Sequence, residues 1–505
     1  MVTLPTTGTA TRQQLSLDSI FLYAKEIYYW NDKLPTYAAF NPRQYTSLST
    51  DLLNYEKALF EMAKYSNPGE YKSTYTSPKF SYIFDKSNKN PTAYVNPVAS
   101  VDLEGNGNDL GMRYAIFTYS NDPGYLFYVG AVYENSPAEK AGITRGDLIK
   151  KINGVSYGTN YTNEYNALNS ALGGTNLAIE GVKPDGTPFS VNITKAVFKS
   201  SPIYKTKIIT AGAKKVGYLA YARFSNTENS VEALTKVFND FATGGVTDLI
   251  IDLRYNGGGY VSTAEHLINL IAPSSVSGVM FTEYYTATML TGNAKILANQ
   301  PLLDVASKIR YGNNGVMLTY ANVNYSTTSN TSSFAKKGNL TAVTNVVFLV
   351  SGSTASASEL VINSLKPHMN VSLVGRTTYG KPIGFFPVTI QNKYDVYLSL
   401  FETKNSLGQG GYFEGMTPTV TTSELFTDAN SGIYNAMFDF GDARDGYTKA
   451  ALNILAPGIT VTSNVSSKIA SVSSKTTVAT ESKDALEMVD NEFKGMVENR
   501  FKLKN

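Results

Sequence analysis

The 505-residue sequence contains no cysteine and only two histidines, His266 and His368. The absence of cysteine excludes disulfides, thiol nucleophiles and thiolate metal sites. Two histidines are too few for a histidine-rich metal cluster, and a histidine-dependent catalytic triad would have to use one of them. Charged residues make up 17% of the chain, and 44 basic against 41 acidic side chains leave a net charge of +3. This charge balance gives no indication of nucleic-acid binding.

Long apolar runs are also missing, because no stretch reaches the roughly 18–20 residues that a membrane-spanning helix requires. The first residues, Met1 to Gly8, lack the charged and apolar regions of a secretory signal peptide. Two alternatives follow, a cytosolic protein and a mature exported form whose leader has been removed. The 35 tyrosines, with many Ser, Thr and Asn residues and no cysteine, favour export. We therefore expect a periplasmic or cell-surface protein, which could carry a lipid anchor in its full-length form.

The length is sufficient for three or four domains, and the residue pattern changes along the chain accordingly. In chain order, the pattern predicts a disordered lead-in over residues 1–15, a helical domain over 16–98, a strand-rich domain over 99–196, an α/β domain over 197–457 with an insertion at about 285–340, and a linker followed by an amphipathic helix over 458–505. Leu486, Val489, Phe493 and Met496 mark the apolar face of that last helix.

The most specific segment of the strand-rich domain is the run from Val132 to Gly154. Ser136-Pro137 begins a short helix in it, and Asn153-Gly154 forms a hairpin turn. This run resembles the PDZ domain, which binds peptide C-termini by strand addition while backbone amides hold the carboxylate. The resemblance places the peptide-binding loop at Leu110, Gly111 and Met112.

Two turns in the α/β domain follow buried strands, at the position where open α/β sheets form their sites. The first is Asn256-Gly-Gly-Gly259, and the second runs from Ser351 to Glu359. The glycine turn lacks the lysine and hydroxyl residue of a phosphate loop. It is either a plain tight turn or a set of bare amides that binds an oxyanion. A serine in the second turn would gain from the free N–H groups at the start of the following helix.

A nucleophilic serine needs a base, and neither histidine is well placed. His368 lies about 18 Å along the same helix, and His266 follows a short helix after the glycine turn, so we interpret both as structural. Lys381 remains, in the apolar segment Lys381–Phe386. Burial disfavours the ammonium form, so a lysine there can be neutral and accept a proton, as in Ser–Lys dyads. The alternative for such a lysine is a solvated charge.

Several segments together resemble the carboxyl-terminal processing proteases, also called tail-specific proteases. Ser356-Ala-Ser-Glu359 and Thr378-Tyr-Gly-Lys381 have the family's spacing. The other two segments are Asp252 to Gly259 and Gly415 to Val420, and the PDZ-like run precedes all four in the chain. The helical region before them is similar to that of Bacteroidetes-type members. The resemblance implies a multidomain α/β and α+β fold: an N-terminal helical domain, a PDZ-like domain and a crotonase/ClpP-like protease core.

The resemblance also implies roles for individual residues. Ser356 would be the nucleophile and Lys381 the general base, and the amides of Gly258 and Ala357 would form the oxyanion hole, with Gly259 as the alternative to Gly258. The chain would be a serine-type endopeptidase acting on proteins or peptides with free C-termini, which the PDZ-like domain recognises or uses to gate the site. No metal or other cofactor is implied.

One departure from the family concerns the residue that orients the lysine. Many members carry a glutamine shortly after it, and here Pro382 to Phe385 occupies that stretch. Either another side chain holds Lys381, or a backbone carbonyl does, or activity is weak. Glu359 and Gln391 are candidate substitutes.

Two other functions remain open at this point. The missing glutamine is compatible with a catalytically weak or inactive peptide-binding protein on the protease scaffold. A crotonase-like acyl-transferring enzyme would share the fold, but it predicts acyl-CoA binding, and no basic pocket for CoA is evident. The sequence does not predict the oligomeric state.

Overall fold

The computed structural model describes residues 10–87, 101–304, 308–343, 345–459, 461, 479–481 and 495–504. The N-terminal unit comprises helices α1 (Arg12–Ile27), α2 (Tyr37–Phe40) and α3 (Asp51–Ala63) and strand β1 (Tyr82–Asp85). Thr11 begins α1, since its hydroxyl accepts the Gln14 N–H at 3.2 Å and the Gln14 side chain accepts the Thr11 N–H. The predicted disordered lead-in over 1–15 is therefore wrong from Thr11 onward, and residues 1–9 lie outside the described ranges.

The PDZ-like domain forms its own sheet and hydrophobic core. Its elements are β2 (Asn106–Asp109), β3 (Met112–Tyr119), β4 (Asp122–Val132), α4 (Pro137–Lys140), β5 (Leu148–Ile152), β6 (Val155–Ser156), α5 (Tyr161–Gly173), β7 (Asn176–Val182), β8 (Pro188–Thr194) and β9 (Ala196–Lys199). The short helix predicted after Ser136 is confirmed, because the Ser136 hydroxyl accepts the Glu139 N–H at 3.1 Å. Strand β9 pairs with β2, so this domain extends slightly past residue 196.

The core contains a sheet with the order β10-β11-β12-β16-β17-β22. In chain order, the elements that follow the PDZ-like domain begin with β10 (Ile203–Ala211), β11 (Lys214–Tyr221), α6 (Thr227–Thr243), β12 (Asp248–Asp252), β13 (Gly258–Tyr260), α7 (Val261–Ile271), β14 (Val279–Tyr285), α8 (Ala287–Leu290), β15 (Thr331–Ser333), β16 (Asn345–Val350), α9 (Ala357–Leu365) and β17 (Asn370–Gly375). They continue with β18 (Ile383–Gly384), β19 (Pro387–Ile390), β20 (Tyr394–Tyr397), β21 (Phe401–Asn405), β22 (Val420–Thr421), β23 (Phe426–Asp428), β24 (Ile433–Ala436), α10 (Gly446–Leu455), β25 (Thr480–Glu481) and β26 (Gly495–Val497).

Strands β11, β12, β16, β17 and β22 run parallel, and β10 is antiparallel to β11. The sequence of β12 is apolar throughout its centre because both faces of the sheet are covered. Leu249 and Ile251 pack in one core cluster with helices α6, α7 and α9, whereas Ile250 packs in another with α10. The turns after β12 and β16 therefore meet at the carboxyl edge of the sheet.

The predicted insertion at 285–340 packs against the N-terminal unit. The Ile296 N–H donates to the Glu26 carboxylate at 2.9 Å, and the Gln300 amide donates to the Tyr23 hydroxyl at 2.7 Å and to the Thr389 carbonyl at 2.9 Å. This segment thus lies between α1 and the core and is hydrogen-bonded to both.

The predicted C-terminal amphipathic helix is wrong where it can be checked. Met496 lies in strand β26, whereas Leu486, Val489 and Phe493 fall outside the described residues. The spacing of these four apolar residues fits a helix, but pairing with the core determines the conformation of Met496. Within the described ranges, no helix has the length and apolar character required to cross a bilayer.

Candidate active site

Ser356 occupies a strained turn between strand β16 and helix α9. Its backbone has φ 58° and ψ −108°, a conformation that side-chain-bearing residues rarely adopt. The residue is fully buried, and its hydroxyl has no hydrogen-bond partner among the residues that the structure describes. Strained backbone and an unpaired buried hydroxyl both cost free energy, and such features concentrate at functional sites.

The serine-rich turn and the glycine turn are bonded to each other. The Thr354 hydroxyl donates to the Leu253 carbonyl at 2.7 Å, the Ser358 hydroxyl donates to the Asn256 carbonyl at 3.0 Å, and the Ser351 hydroxyl donates to the Arg254 carbonyl. The Ser351 hydroxyl also accepts the Ser353 N–H at 3.1 Å. These side chains have turn and cap roles, and they fix the glycine turn beside Ser356.

The predicted oxyanion-hole amides lie close together but differ in whether their N–H groups already donate a hydrogen bond. A Cβ atom built on Gly258 would lie 3.1 Å from the Ala357 nitrogen, so the two residues are adjacent. Ala357 is the first residue of α9, where an N–H has no acceptor within the helix. The Gly258 N–H, however, donates to the Asn256 side-chain oxygen at 2.9 Å. Gly258 could serve an oxyanion only if Asn256 released it.

The carboxylate of Glu359 joins the segments of the two predicted catalytic residues. One of its oxygens accepts the backbone N–H of Ser356 and the backbone N–H of Lys381, each at 2.8 Å. The other oxygen accepts the Gly380 N–H at 2.8 Å and the Thr378 hydroxyl. Burial raises the pKa of Glu359, and these four donors oppose that rise. Glu359 thus holds both backbones together.

Lys381 is buried, with 1% of its surface exposed, so the alternative of a solvated charge is wrong. Its Nζ atom donates to the backbone carbonyl of Phe80 at 3.3 Å and lies 4.3 Å from the ring centroid of Phe385. Of the groups left open by the sequence, a backbone carbonyl therefore contacts the lysine. Its hydrogen bond to Ser356 is not formed in this structure, because the serine hydroxyl has no partner in the described part of the chain.

Gln391 lies away from the site. Its amide donates to the Tyr55 hydroxyl at 2.9 Å and to the Ser16 hydroxyl, which places it against helices α1 and α3. The suggestion that Gln391 orients Lys381 is corrected by these contacts: the side chain fastens the N-terminal helices to the hairpin that carries it.

The carbonyl that contacts Lys381 is itself held by a residue that sequence reasoning missed. Glu70 accepts the N–H groups of Phe80, at 3.1 Å, and of Ser81, and its other oxygen accepts the Tyr28 hydroxyl at 2.6 Å. Glu70 and Tyr28 are buried. No sequence signal distinguishes Glu70 from other glutamates of the helical domain, because its role arises only when that domain packs on the core.

Comparisons with known proteins agree with this architecture. Residues 215–422 match peptidase family S41, and residues 128–174 match the PDZ domain. The core of the chain, residues 215–422, is thus similar to peptidase family S41. The chain is 24% identical over 334 residues to the carboxy-terminal processing protease CtpB of Bacillus subtilis, covering 64% of this chain and 56% of that protein.

Further relatives extend the comparison. The chain is 24% identical over 248 residues to a carboxyl-terminal-processing protease of Synechocystis, covering 49% of this chain and 47% of that protein. The chain thus spans about half the length of these curated relatives. A crystal structure described as an S41 protease from Bacteroides fragilis matches with a TM-score of 0.57 at 23% identity, covering 90% of this chain and 99% of that one. This last match shows a shared fold.

Both histidines have local polar partners. His266 is 2.9 Å from the Thr235 hydroxyl, and His368 is 3.0 Å from the Ser406 hydroxyl. These contacts agree with the structural roles that were predicted. Among the described residues there is no group of three or more side chains suited to hold a metal ion.

The predicted peptide-binding loop of the PDZ domain is closed by its own chain. Leu110 and Met112 are buried, and the Gly111 N–H donates to the Asp109 carboxylate at 2.6 Å. The carbonyls of Leu110 and Gly111 accept N–H groups of Ala138 and Tyr133, each at 2.9 Å. Asp109 therefore takes the donor that a peptide carboxylate would need, and peptide binding here stays a prediction.

Two arginines connect the PDZ domain to the catalytic region. Arg113 donates to the Ser353 hydroxyl at 3.1 Å, within the turn that leads to Ser356. Arg145 donates to Glu424 at 2.9 Å and to Asp445 at 3.4 Å, and Arg254 of the glycine turn binds the same two carboxylates at 2.9 and 2.8 Å. Both Arg145 and Arg254 are buried, so this cluster is an internal part of the domain interface.

Proposed function

We propose that this chain is a serine endopeptidase with Ser356 as nucleophile and Lys381 as general base. The observation that carries the proposal is the shared carboxylate of Glu359, which bonds the backbone of both residues at 2.8 Å. The strained, buried and unpaired serine supports the same assignment. The match of residues 215–422 to peptidase family S41 provides independent support.

In the proposed reaction, Lys381 in its neutral form takes the proton of Ser356 as the serine oxygen attacks the scissile carbonyl. The proton then passes from Lys381 to the leaving amine, and an acyl-enzyme forms. Lys381 next removes a proton from water, which hydrolyses the ester and frees Ser356. A side-chain rotation must first bring Lys381 Nζ from Phe80 towards Ser356, and apo sites often tighten in this way when substrate binds.

The oxyanion of the tetrahedral intermediate would be held by the Ala357 N–H together with an amide of the glycine turn. Gly258 supplies the second donor if Asn256 releases its N–H, and Gly259 is the alternative. The helix dipole of α9 would add to the stabilisation, since Ala357 is its first residue.

We further propose that the substrates are proteins or peptides with free C-termini, which the PDZ domain recognises or uses to gate the site. The contact between Arg113 and Ser353 would relay PDZ occupancy to the turn that carries Ser356. An exported, periplasmic or cell-surface location remains part of this proposal and rests on composition.

The proposal is tested by cleavage of an unfolded protein with a free C-terminus, together with labelling by a fluorophosphonate probe. We expect the wild type to cleave and to be labelled, and Ser356→Ala to do neither while retaining its fold by circular dichroism. A serine variant in the same turn, Ser358→Ala, should keep its labelling. Labelling that persists in Ser356→Ala would reject the assigned nucleophile.

A second candidate, a peptide-binding protein without turnover, is favoured by one observation. Strand β26 of the same chain pairs with the glycine strand β13 beside Ser356. If this pairing is permanent, no substrate reaches the serine. If this candidate is correct, the full chain binds C-terminal peptides but is neither labelled nor active, and labelling of Ser356 appears only when residues 495–505 are removed.

A further inference from the structure

Residues 495–498 pair directly with the glycine strand of the candidate active site. In parallel register, Gly258 is opposite Gly495, Gly259 is opposite Met496 and Tyr260 is opposite Val497. The Gly495 N–H also donates to the Gly257 carbonyl at 3.0 Å. The edge of the glycine strand that an incoming peptide would extend is therefore already paired.

This segment also reaches the immediate surroundings of the nucleophile. The point where a Cβ of Gly258 would lie is 2.3 Å from the Gly495 carbonyl oxygen and 3.1 Å from the Ala357 nitrogen. The Gly495 carbonyl thus lies next to the first amide of α9, directly after Ser356. A peptide carbonyl must approach this same region to be attacked.

The other edge of the segment is paired with the strand that follows the lysine. The Phe385 N–H donates to the Met496 carbonyl at 3.0 Å, and the Glu498 N–H donates to the Phe385 carbonyl at 3.3 Å. The ring of Phe385 also contacts Lys381 Nζ. The segment therefore lies between the two arms of the proposed dyad, paired through its backbone on both sides.

Side chains fix the segment in this channel. Met496 is fully buried, and Phe501 packs edge-on against Tyr320 and Phe386, with ring centroids 5.2 and 5.3 Å apart. Further along, the Lys502 carbonyl accepts the Asn324 N–H at 2.8 Å. Backbone pairing with side chains in pockets is the way in which an extended peptide ligand is recognised by a sheet edge.

We propose that residues 495–504 are an internal occupant of the peptide channel that competes with substrate. The inference rests on the proposed function, because it takes the site between β13 and Phe385 as the channel for the scissile peptide. The channel then accepts an extended peptide with a large apolar residue at the position of Met496, which is fully buried. Substrate enters only when the segment leaves.

The experiment compares the wild type with a chain lacking residues 495–505 and with Met496→Asp, which places a charge in the pocket of Met496. The rate of fluorophosphonate labelling at Ser356 is measured for each. If the open channel is populated at about a tenth, both variants should be labelled roughly ten-fold faster than the wild type. The matched control is Lys236→Ala, an exposed lysine of helix α6 outside the segment; it should react like the wild type.

A synthetic peptide of residues Gly495–Lys504 supplies a readout that a purely structural role of the segment would not produce. Added to the shortened chain, it should slow labelling competitively, whereas a scrambled peptide should not. Isothermal calorimetry on the shortened chain carrying Ser356→Ala should show binding of this peptide, without requiring any turnover.

The outcomes separate the two proposals. Labelling of the wild type that is neither accelerated by the deletion nor slowed by the peptide overturns the internal occupant and leaves the peptidase intact. A shortened chain that is folded and binds the peptide but is never labelled overturns the peptidase and retains the channel. A shortened chain that loses both fold and peptide binding shows that the segment is structural and rejects the inference.

Discussion

Lys381 Nζ donates a hydrogen bond to the Phe80 carbonyl at 3.3 Å, and thus the group that holds the proposed base comes from the N-terminal helical unit. Phe80 lies just before strand β1, whose partner β20 belongs to the core. The N-terminal unit therefore contributes a contact to the proposed general base.

Glu70→Gln tests this dependence without touching Lys381. The new amide has one acceptor oxygen for the five donors that the carboxylate now accepts, namely the N–H groups of Phe80 and Ser81 and the hydroxyls of Tyr28, Ser81 and Ser399. Some of these donors therefore lose their acceptor, and the loop that carries the Phe80 carbonyl should move. We expect turnover to fall with little change in KM, and a loss of roughly 1–3 kcal/mol in the free energy of unfolding because buried donors are left unpaired. Steady-state kinetics and urea unfolding measure both. Glu61→Gln, on the exposed side of α3, is the control, and equal kinetics in all three proteins would contradict the role of Glu70.

Two lysines near the site can be separated by substitution. Lys79 donates to the Phe413 carbonyl at 2.5 Å, and burial lowers its pKa to about 8 against the opposing effect of Glu359. Lys381→Ala should reduce acylation of Ser356 by roughly 100-fold or more, the usual contribution of a general base. Lys79→Ala should stay within a few-fold of wild type. Stopped-flow measurement of the acylation burst checks both, and the reverse pattern would make Lys79 the base.

Glu359→Gln should uncouple the backbones of Ser356 and Lys381. One carboxylate oxygen becomes an NH2 group that opposes two of the four donors around it, so the loop Thr378–Lys381 should shift. We expect a stability loss of roughly 1–3 kcal/mol and a larger fall in kcat than in substrate affinity. Glu359→Asp keeps the negative charge on a shorter side chain. It should recover part of the activity that the glutamine variant loses, if the carboxylate still reaches its donors. Unchanged kcat in the glutamine variant would show that Glu359 does not position the dyad.

Strain at Ser356 predicts a difference between two inactive variants. At φ 58° and ψ −108°, glycine is unstrained, whereas alanine keeps a Cβ. Ser356→Gly should therefore be more stable than Ser356→Ala by about 1 kcal/mol, despite the greater freedom of glycine in the unfolded chain. Thermal unfolding of the two proteins measures the difference. An alanine variant that melts higher would mean that the turn is not strained.

The pH dependence of substrate access should depend on Glu283. Burial, and then the neighbouring carboxylate of Glu498, raise the pKa of Glu283 well above its ordinary value of 4.5. The stabilisation that protonated Glu283 gives to the docked segment is fully present below about pH 4.5 and is lost as pH rises through the raised pKa. Tyr285 donates to Glu283 at 2.9 Å, and Arg500 faces both carboxylates while also binding Glu265.

The rate of fluorophosphonate labelling at Ser356 is measured for the wild type and for Glu283→Gln from about pH 5 to 9. The ratio of the wild-type rate to the variant rate should increase with pH, because glutamine stays neutral. Dividing by the variant removes the pH response of Lys381. A flat ratio would mean that Glu283 does not control the segment. Glu283, Glu265, Glu498 and Arg500 line a cavity together with three further charged side chains, which are Asp304, Arg310 and Lys502.

The sequence predicts the order of domains and the turns that carry the chemistry, because these depend on local signals. Strand β16, the serine turn and helix α9 are read from a buried apolar run followed by a cap and a helical pattern. Ser356 and Lys381 follow from motif resemblance. The burial of Lys381 agrees with its apolar neighbours.

Other features could not be predicted, because they depend on contacts between residues far apart in the chain. Phe80 contacts Lys381 from 301 positions away, and its carbonyl carries no sequence signal at all. Met496 was assigned to a helix because three apolar spacings fit one, whereas its conformation depends on pairing with Gly259. Gln391 is a candidate from the sequence, but the hairpin that carries it leads away to Tyr55.

The buried cluster of Arg145, Arg254, Glu424 and Asp445 has a consequence for how the molecule unfolds. Two guanidinium groups from different domains bind the same two carboxylates across a buried interface, and Arg254 also binds Asp252. Separating the domains would break these ion pairs, so we expect the PDZ domain and the core to melt as one cooperative unit. In evolutionary terms, such a module cannot be exchanged for another PDZ domain unless the new one brings its own arginine.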